Sequence, residues 1–224
     1  MQFSVETSAT TESGPAGPVV IADIQDNPGA GGSGDTTGLL AALVNNGAED
    51  AVLACIWDPV FALQCVEAGT GAELEAALGG KNGPDGVEPY EARFRVEVVT
   101  DGRFVCQGPM MKGTEVKLGP TVLVSVIAPD CDVQVVVGSE RSQCLDQGFL
   151  RLVGIEPGEK RIVCVKSTVH FRNDFEHIAQ QILLASCPGA NPCNLQDIPY
   201  TRLRPTVRLP GQIQTRESTE SAST

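Results

Sequence analysis

The sequence has 224 residues, a formal net charge of −12, 42% hydrophobic residues and only 4% aromatic residues. This length and hydrophobic content suit one large domain with a core built mainly from Val, Leu, Ile and Ala. Because an acidic chain without a Lys/Arg cluster repels phosphate backbones, nucleic acid is excluded as an expected partner. No segment reaches 18 uninterrupted apolar residues, so the membrane is not an expected partner either.

Both ends of the sequence have the composition of disordered tails. Residues 1–17 are rich in Ser, Thr, Gly and Pro and lack the basic start and apolar core of a secretory signal; residues 211–224 are similar. The sequence therefore predicts one domain at 18–210 between two disordered tails. The eight cysteines form no C-x-x-C pair and several lie in apolar runs, which predicts buried free thiols and a reducing, cytoplasmic location.

The first part of the domain predicts a short parallel βαβ unit with a glycine loop. PVVIADIQ and AVLACIW are apolar runs typical of buried strands. Between them, DTTGLLAALVNNG predicts a helix with Asp35 or Thr36 as its N-cap. A second helix is expected after Asp58 as N-cap, with Pro59 in its first position. Its expected apolar face contains Val60, Phe61, Leu63 and Ala68. The two strands are expected to form a parallel pair joined by a right-handed crossover.

The rest of the domain predicts a β-rich middle followed by further β/α elements. YEARFRVEVV alternates as a strand does, and TDGR supplies an Asp-Gly hairpin turn. The segments TEVKLG, TVLVSVI and VQVVVGS predict further strands, antiparallel in character. CLDQGFLRLVG and RNDFEHIAQQ predict helices, RIVCVKS and ILLASC predict strands, and IPYTRLRPTVRLP is expected to wrap the surface. The predicted fold class is therefore mixed α/β (α+β).

The glycine loop between the first strand and the first helix has the features of a ligand site. Its glycines let a ligand approach the backbone, and it lies where open α/β sheets bind ligands. The topology predicts that Asp26, Asp35 and Asp58 converge there. No G-K-[ST] motif follows, and carboxylates suit a cation, an ammonium group or proton transfer better than a phosphate. Two structural roles stay equally open: Asp35 as a plain helix cap, and Asp26 in an Asx-type turn with Asn27-Pro28.

The two histidines, His170 and His177, do not form a metal motif. H-E-x-x-H is absent and no Cys/His group has zinc spacing, so no metal site is predicted in this chain. His170 is the better functional candidate because KSTVHFR places Lys166, His170 and Arg172 together where a strand ends. A hydrogen-bonded structural role is the alternative for either histidine. The absence of G-x-S-x-G disfavours a serine hydrolase.

Five segments, in register from about Val19 to Pro210, resemble the C-terminal domain of the microcystinase (MlrC) family of metallopeptidases. They are VVIADIQDNPGAGGSGDTTGLLAAL, DGRFVCQGPMMKG followed by LGPTVLV, SERSQCLDQGFLRLVGIEP, IVCVKSTVHFRNDF and DIPYTRLRP. The resemblance implies that an N-terminal domain carries zinc-binding Asp/His ligands in this family, and that the C-terminal domain completes the substrate cleft.

Carried onto this sequence, the resemblance implies that the glycine loop faces the substrate. Asp26 and Asp35 become candidate catalytic residues, with His170 a weaker candidate. The residues implied to bind substrate are Asp26, Asn27, Gly31, Gly32, Asp35 and Thr36. Because only seventeen residues precede the first strand, we expect no cofactor in this chain, zinc only in the full-length family, and no peptidase activity from the chain alone.

Three functions stay open at this point. The first is a cleft-completing domain that needs a zinc-domain partner chain. The second is a stand-alone module whose glycine loop and helix N-terminus bind a peptide or small polar ligand. The third, which is disfavoured, is an independent hydrolase built from Asp26, Asp35 and His170. An apolar face around the glycine loop would also permit a homodimer.

Overall fold

The computed structural model describes residues 17–210 in full and residues 5–8 by their backbone. It divides the chain into two compact units, Met1–Asn191 and Pro192–Thr224. The predicted N-terminal tail, 1–17, contains the strand Val5–Ser8. The other residues up to 16, and the predicted tail 211–224, lie outside the described residues.

A nine-stranded mixed sheet organises the first unit. The strands in chain order are β1 (Val5–Ser8), β2 (Val19–Asp23), β3 (Ala51–Trp57), β4 (Glu73–Leu78), β5 (Tyr90–Thr100), β6 (Arg103–Val105), β7 (Glu115–Lys117), β8 (Thr121–Ile127), β9 (Val133–Gly138), β10 (Ile162–Lys166) and β11 (Gln181–Ala185). The sheet order is β1-β11-β2-β10-β3-β9-β8-β5-β4, and β6 pairs with β7 in a separate ribbon. The strands from β11 to β9 in this order run parallel, and those at both edges are antiparallel. The mixed α/β class is confirmed.

Helices pack on both faces of this sheet. They are α1 (Gly38–Asn45), α2 (Pro59–Ala68), α3 (Gly148–Arg151) and α4 (Arg172–Phe175). The buried side chains of α1 and α2 belong to one apolar cluster, and those of α3 and α4 belong to another. Alternate residues of β3 divide between the clusters: Ala51 and Leu53 join the first, Val52 and Ala54 the second. Because β3 is covered on both faces, its sequence is continuously apolar.

The apolar face expected for α2 is partly wrong. Phe61 is fully buried as expected, but Val60 and Leu63 are more than half exposed. Instead, Ala62 and Cys65 join Phe61 in facing the sheet. The short Ala and Cys side chains allow the helix to approach the sheet closely, and Phe61 meets Phe94 of β5 edge to face at 5.0 Å between ring centroids.

The expected pairing of the first two apolar strands is also wrong. β2 and β3 are parallel members of one sheet, but β10 lies between them and pairs with both. A helical connection of this kind fixes the direction of the second strand but not its distance from the first, since a later strand can enter the gap. The inserted strand brings residues near position 166 beside the glycine loop.

The TDGR segment does not form the expected hairpin. β5 pairs with β4 and β8, whereas β6 starts a new ribbon with β7. Gly102 has a φ of 72° and turns the chain from one sheet into the other. The strand β4 was not expected from the sequence, because its surface-facing Glu73 and Glu75 weaken its apolar pattern.

In its described part, residues 192–210, the second unit contains one short 3-10 helix, Leu195–Asp197, and turns. The proline-rich segment falls in this unit and is largely exposed. In the part of the chain that the structure describes, no helix is both long and apolar enough to cross a membrane.

The thiols provide a test of this packing. Cys131 is half-buried, Cys193 is exposed and the other six cysteines are buried. Burial raises the pKa of Cys55 and Cys65 to about 12, so little reactive thiolate is present at neutral pH. We expect a chromogenic disulfide reagent to label Cys193 first and Cys131 more slowly in the native protein, and all eight cysteines in denaturant. Cys193→Ser should remove the fast phase and Cys65→Ser should not. Rapid native labelling of further cysteines would contradict this packing.

Candidate functional site

The glycine loop leaves the carboxyl end of β2 and leads into α1. Asn27 caps a 3-10 turn at Pro28–Ala30, where its Oδ1 accepts a hydrogen bond from Gly29 N at 2.9 Å. Its Nδ2 donates to Thr168 Oγ1 at 2.9 Å, which ties the loop to the segment after β10. The local turn therefore depends on the side chain of Asn27 rather than on that of Asp26.

The carboxylate of Asp26 organises the second half of the loop. It is fully buried. Its Oδ1 accepts from Gly34 N at 2.7 Å and from Ser33 Oγ at 3.2 Å. Its Oδ2 accepts from the backbone N and the Oγ1 of Thr36, at 2.9 and 2.8 Å. The loop thus folds around one carboxylate, whose hydrogen bonds come from inside the protein.

A buried lysine from β10 completes this network. Lys166 Nζ donates to Asp26 Oδ2 at 2.9 Å, to Asp23 Oδ2 at 3.1 Å and to Thr36 Oγ1 at 2.9 Å. The Lys166 side chain is 1% exposed and both carboxylates are fully buried. The parallel register of β10 and β2 pairs Lys166 with Asp23, so their side chains lie side by side. The lysine therefore locks the loop to the sheet.

Burial and charge push the pKa values of the two acids apart. Burial raises the pKa of Asp23, and the charge of Lys166 only partly opposes this. For Asp26, the effect of burial is outweighed by the Lys166 charge and by the N–H groups of Gly34 and Thr36, which lower its pKa to about 2. Burial would lower the pKa of Lys166, but the two acids raise it. When both acids are ionised, one ammonium group serves two carboxylates and one negative charge is uncompensated.

Asp35 and Asp58 hold the segment that follows β4. Asp35 Oδ2 accepts from the backbone N of Lys81 at 2.9 Å and of Asn82 at 2.7 Å. Asp58 caps α2 as expected, with Oδ1 accepting from Phe61 N at 3.0 Å. Its Oδ2 accepts from Lys81 Nζ at 2.6 Å. The two acids therefore hold residues 81–82 in place, and Asp58 also stabilises the start of α2.

The expected convergence of acids occurs, but not as an open acidic pocket. Thr36 joins the Asp26 network directly to its neighbour Asp35, and Lys81 joins Asp35 to Asp58. All three carboxylates are buried and accept from the protein's own donors. The N-cap of α1 is Thr37, without a side-chain cap bond, so neither Asp35 nor Thr36 caps this helix. Direct contact of these acids with a substrate stays a prediction.

The glycines are needed by the loop's own backbone. Gly31 is exposed at the tip with a φ of 96°, a region that favours glycine. Gly32 is buried, and a Cβ there would lie 2.7 Å from Asn27 N. Of the two glycines expected to bind substrate, only Gly31 is therefore open to solvent.

His170 lies on the exposed rim of the loop region, beyond the end of β10. Its Nδ1 is 3.3 Å from Gln143 Nε2, and the same amide nitrogen donates to Ser167 Oγ at 2.8 Å. Lys166 is buried while His170 is exposed, so the expected grouping of Lys166, His170 and Arg172 is wrong. The strand ends at Lys166, and the turn after it carries the histidine outward.

A second pair of buried acids was not predicted from the sequence. Asp146 accepts from Gly108 N and Gly148 N, each at 2.7 Å. Asp174 accepts from Gln147 N at 2.7 Å, and burial raises its pKa. Both acids lie in segments that were interpreted as helices, where a polar residue normally faces solvent. The one sequence feature that pointed to these two acids is that each lies within one of the five segments resembling the family.

The sequence model of the family described as MlrC C-terminus matches residues 21–202. The chain belongs to this family. The match confirms the resemblance carried by the five sequence segments. Microcystinase C of Sphingomonas sp is 32% identical to the chain over 166 residues, which are 74% of this chain and 31% of that protein.

A solved structure shares the fold of this MlrC C-terminus chain. It is a protein of Mesorhizobium sp. BNC1 assigned as a metallopeptidase, with a TM-score of 0.74 and 25% sequence identity. The match covers 85% of this chain and 37% of the solved chain. The chain therefore spans about a third of the length of each of these relatives.

The relatives imply metal use in the MlrC family, but the described residues do not fit a metal centre. The described part of the chain has no group of three or more His, Cys, Asp or Glu side chains able to hold a metal ion. Asp23 and Asp26 already share the ammonium group of Lys166. Among the described residues, the buried side-chain oxygens without a partner are Asp23 Oδ1 and Asp35 Oδ1, on separate carboxylates. The buried carboxylate oxygens instead accept hydrogen bonds from a lysine and from backbone N–H groups.

Proposed function

We propose that this chain provides the substrate-cleft-completing C-terminal domain of a microcystinase-type zinc metallopeptidase. The family match over residues 21–202 carries the proposal. The identity to Microcystinase C and the fold shared with the Mesorhizobium protein support it. The substrate class is a peptide, and the reaction is hydrolysis of a peptide bond.

The geometry of the glycine loop supports a role in forming one wall of the cleft. The loop lies at the carboxyl end of parallel strands, where α/β sheets place their ligands. In this proposal the buried Asp26 and Asp35 position the loop. Its exposed tip at Gly31 and the nearby His170 are the substrate contacts. A wall held by buried hydrogen bonds orients a peptide at little entropic cost on binding.

The proposal places the zinc ligands outside the described residues, in an N-terminal domain or a partner chain. Bound zinc would polarise the scissile carbonyl and activate water. The residues of this chain would bind the peptide, orient it and exclude bulk water. By itself, the 224-residue chain is then inactive.

The proposed setting is the cytoplasm. The seven cysteines from Cys55 to Cys187 are free thiols, six of them buried, which is typical of proteins from a reducing compartment. A homodimer through the glycine-loop face is a further proposal, which light scattering at high protein concentration would test. A mass equal to one chain would count against it.

A chimeric enzyme tests the proposed function. This chain would replace the matching segment of Sphingomonas Microcystinase C, and hydrolysis of a fluorogenic peptide would be measured with zinc present. We expect the chimera to hydrolyse the peptide, and the 224-residue chain with zinc to be inactive. A Lys166→Met chimera should lose activity, because the glycine loop would no longer be held in place. A Lys117→Met chimera should keep its activity.

Two results would contradict the proposal. One is hydrolysis by the chain alone that EDTA abolishes, since the metal site would then lie within the chain. The other is a folded chimera without activity. A small polar ligand that raises the melting temperature of the chain alone, with the gain lost in Asp35→Ala, would favour a stand-alone binding module instead.

A further inference from the structure

Arg141 differs from every other arginine in residues 17–191. The other six each lie within 4.0 Å of a carboxylate: Arg93, Arg95, Arg103, Arg151, Arg161 and Arg172. Arg141 is exposed and has no ion pair among the described residues. Its guanidinium carbon lies 5.7 Å from the centroid of the Trp57 ring. Arg172 also lies 5.7 Å from an aromatic ring, that of Phe171, but it is paired with Glu176 as well.

The glycine loop and the end of β3 hold this arginine in place. Trp57 Nε1 donates to Ser139 O at 3.0 Å, which fixes the indole ring. Trp57 N donates to Gly34 O at 2.9 Å, which joins the ring's backbone to the loop. A Cβ at Gly34 would lie 3.7 Å from Trp57 Cβ and 3.9 Å from Arg141 Cγ. The Arg141 side chain therefore passes beside the loop at Gly34, and its guanidinium lies over the Trp57 ring with its N–H donors available.

The three buried acids of the loop region do not compete for this arginine. Asp26, Asp35 and Asp58 are buried and bonded to other donors. Two residues further along the chain, Gln143 reaches the same loop, where a Cβ at Gly29 would lie 2.1 Å from its Oε1. The Arg141 guanidinium and the Gln143 amide therefore both lie beside the loop.

We propose that Arg141 binds a carboxylate group of a peptide ligand at the rim of the glycine loop. A guanidinium matches a carboxylate with two parallel N–H···O bonds, and its position over the Trp57 ring preorganises that fork. The inference rests on the proposed function in taking the ligand to be a peptide. It adds that the peptide is recognised through a free carboxylate.

The binding test uses the 224-residue chain and two probes, N-acetyl-trialanine with a free C-terminal carboxylate and the same peptide with a C-terminal amide. Binding would be followed through the arginine Nε–Hε signals of ¹⁵N-labelled protein. We expect the acid peptide to shift the Arg141 signal and to bind about tenfold more tightly than the amide. Arg141→Ala should remove this preference, and Arg141→Lys should restore only part of it.

Arg161→Ala is the matched control, since it removes an exposed arginine paired with Glu49, and it should leave binding unchanged. Equal binding of the two peptides, no binding of either, or an unchanged preference in Arg141→Ala would overturn the inference. Its failure is distinct from failure of the proposed function. An inactive chimera with intact carboxylate preference rejects only the enzyme assignment, whereas an active chimera indifferent to Arg141→Ala rejects only the role of Arg141.

Discussion

Lys166→Met is expected to destabilise the domain by about 3–5 kcal/mol at neutral pH. The substitution preserves much of the side-chain volume but removes the ammonium group that Asp23 and Asp26 share inside the protein. Two buried carboxylates would then face each other without a counter-charge, and Thr36 Oγ1 would lose its lysine donor. Denaturant unfolding monitored by circular dichroism, with comparison of the transition midpoints, measures the effect.

The matched control is Lys117→Met, which removes an exposed lysine paired with Glu115. It should change stability little, because exposed ion pairs contribute little. The penalty in Lys166→Met should also shrink on acidification, since protonation of the unpaired acids relieves their burial. A penalty near zero, or one that does not change with pH, would show that the lysine is not the counter-charge of this pair.

Asp26→Asn is expected to destabilise the domain by about 2–4 kcal/mol at neutral pH. Asparagine can replace at most one accepting oxygen, and its amide group would confront the Lys166 ammonium or the donors of Gly34 and Thr36. The same unfolding measurement, repeated across a pH series, separates the loss of the negative charge, which depends on pH, from the loss of the accepting oxygen, which does not.

The pH dependence of the wild type follows from the lowered pKa of Asp26. A carboxyl with a pKa of about 2 in the folded state and 3.8 when unfolded stabilises the fold above 3.8 and loses this contribution as the pH falls toward 2. The loss amounts to about 2 kcal/mol. Asp23, whose pKa is raised, has the opposite sign: its contribution weakens as the pH rises from 3.8 through its folded value.

Asp26→Asn should therefore flatten the acid limb of the stability profile below pH 3.8. Asp85→Asn is the control, because this acid is exposed in the loop after β4 and should leave the acid limb unchanged. An acid limb equally steep in Asp26→Asn and wild type would mean that other carboxyls control unfolding there.

Local pattern was sufficient for most of the fold. The continuous apolar runs of β2, β3 and β10 predicted buried strands, and Asp58 with Pro59 predicted the start of α2. Sheet order was not predictable, since the insertion of β10 between β2 and β3 depends on pairing between residues more than a hundred positions apart. The apolar face of α2 was only partly predictable, because the small Ala62 and Cys65, rather than Val60 and Leu63, join Phe61 in facing the sheet.

The site was predicted in position but not in detail. The glycine loop and its acids were identified because glycine, proline and carboxylates alternate between two apolar segments. The partner of Asp26 was missed, since Lys166 looked like a rim residue beside His170 until the strand order placed it inside. Arg141 could not be singled out from the sequence either, because only the three-dimensional structure shows which arginines lie near a carboxylate.

Lys166 and Asp26 are separated by 140 residues. During translation the loop leaves the ribosome long before β10. At that stage the nascent chain contains Asp23 and Asp26 without the Lys166 counter-ion, and β2 without its neighbouring strand β10. Non-local pairings of this kind are slow to form, because the intervening chain must first be brought together. We therefore expect the loop to close only after β10 has been synthesised, because a nascent chain that ends before residue 166 contains both acids but not the lysine.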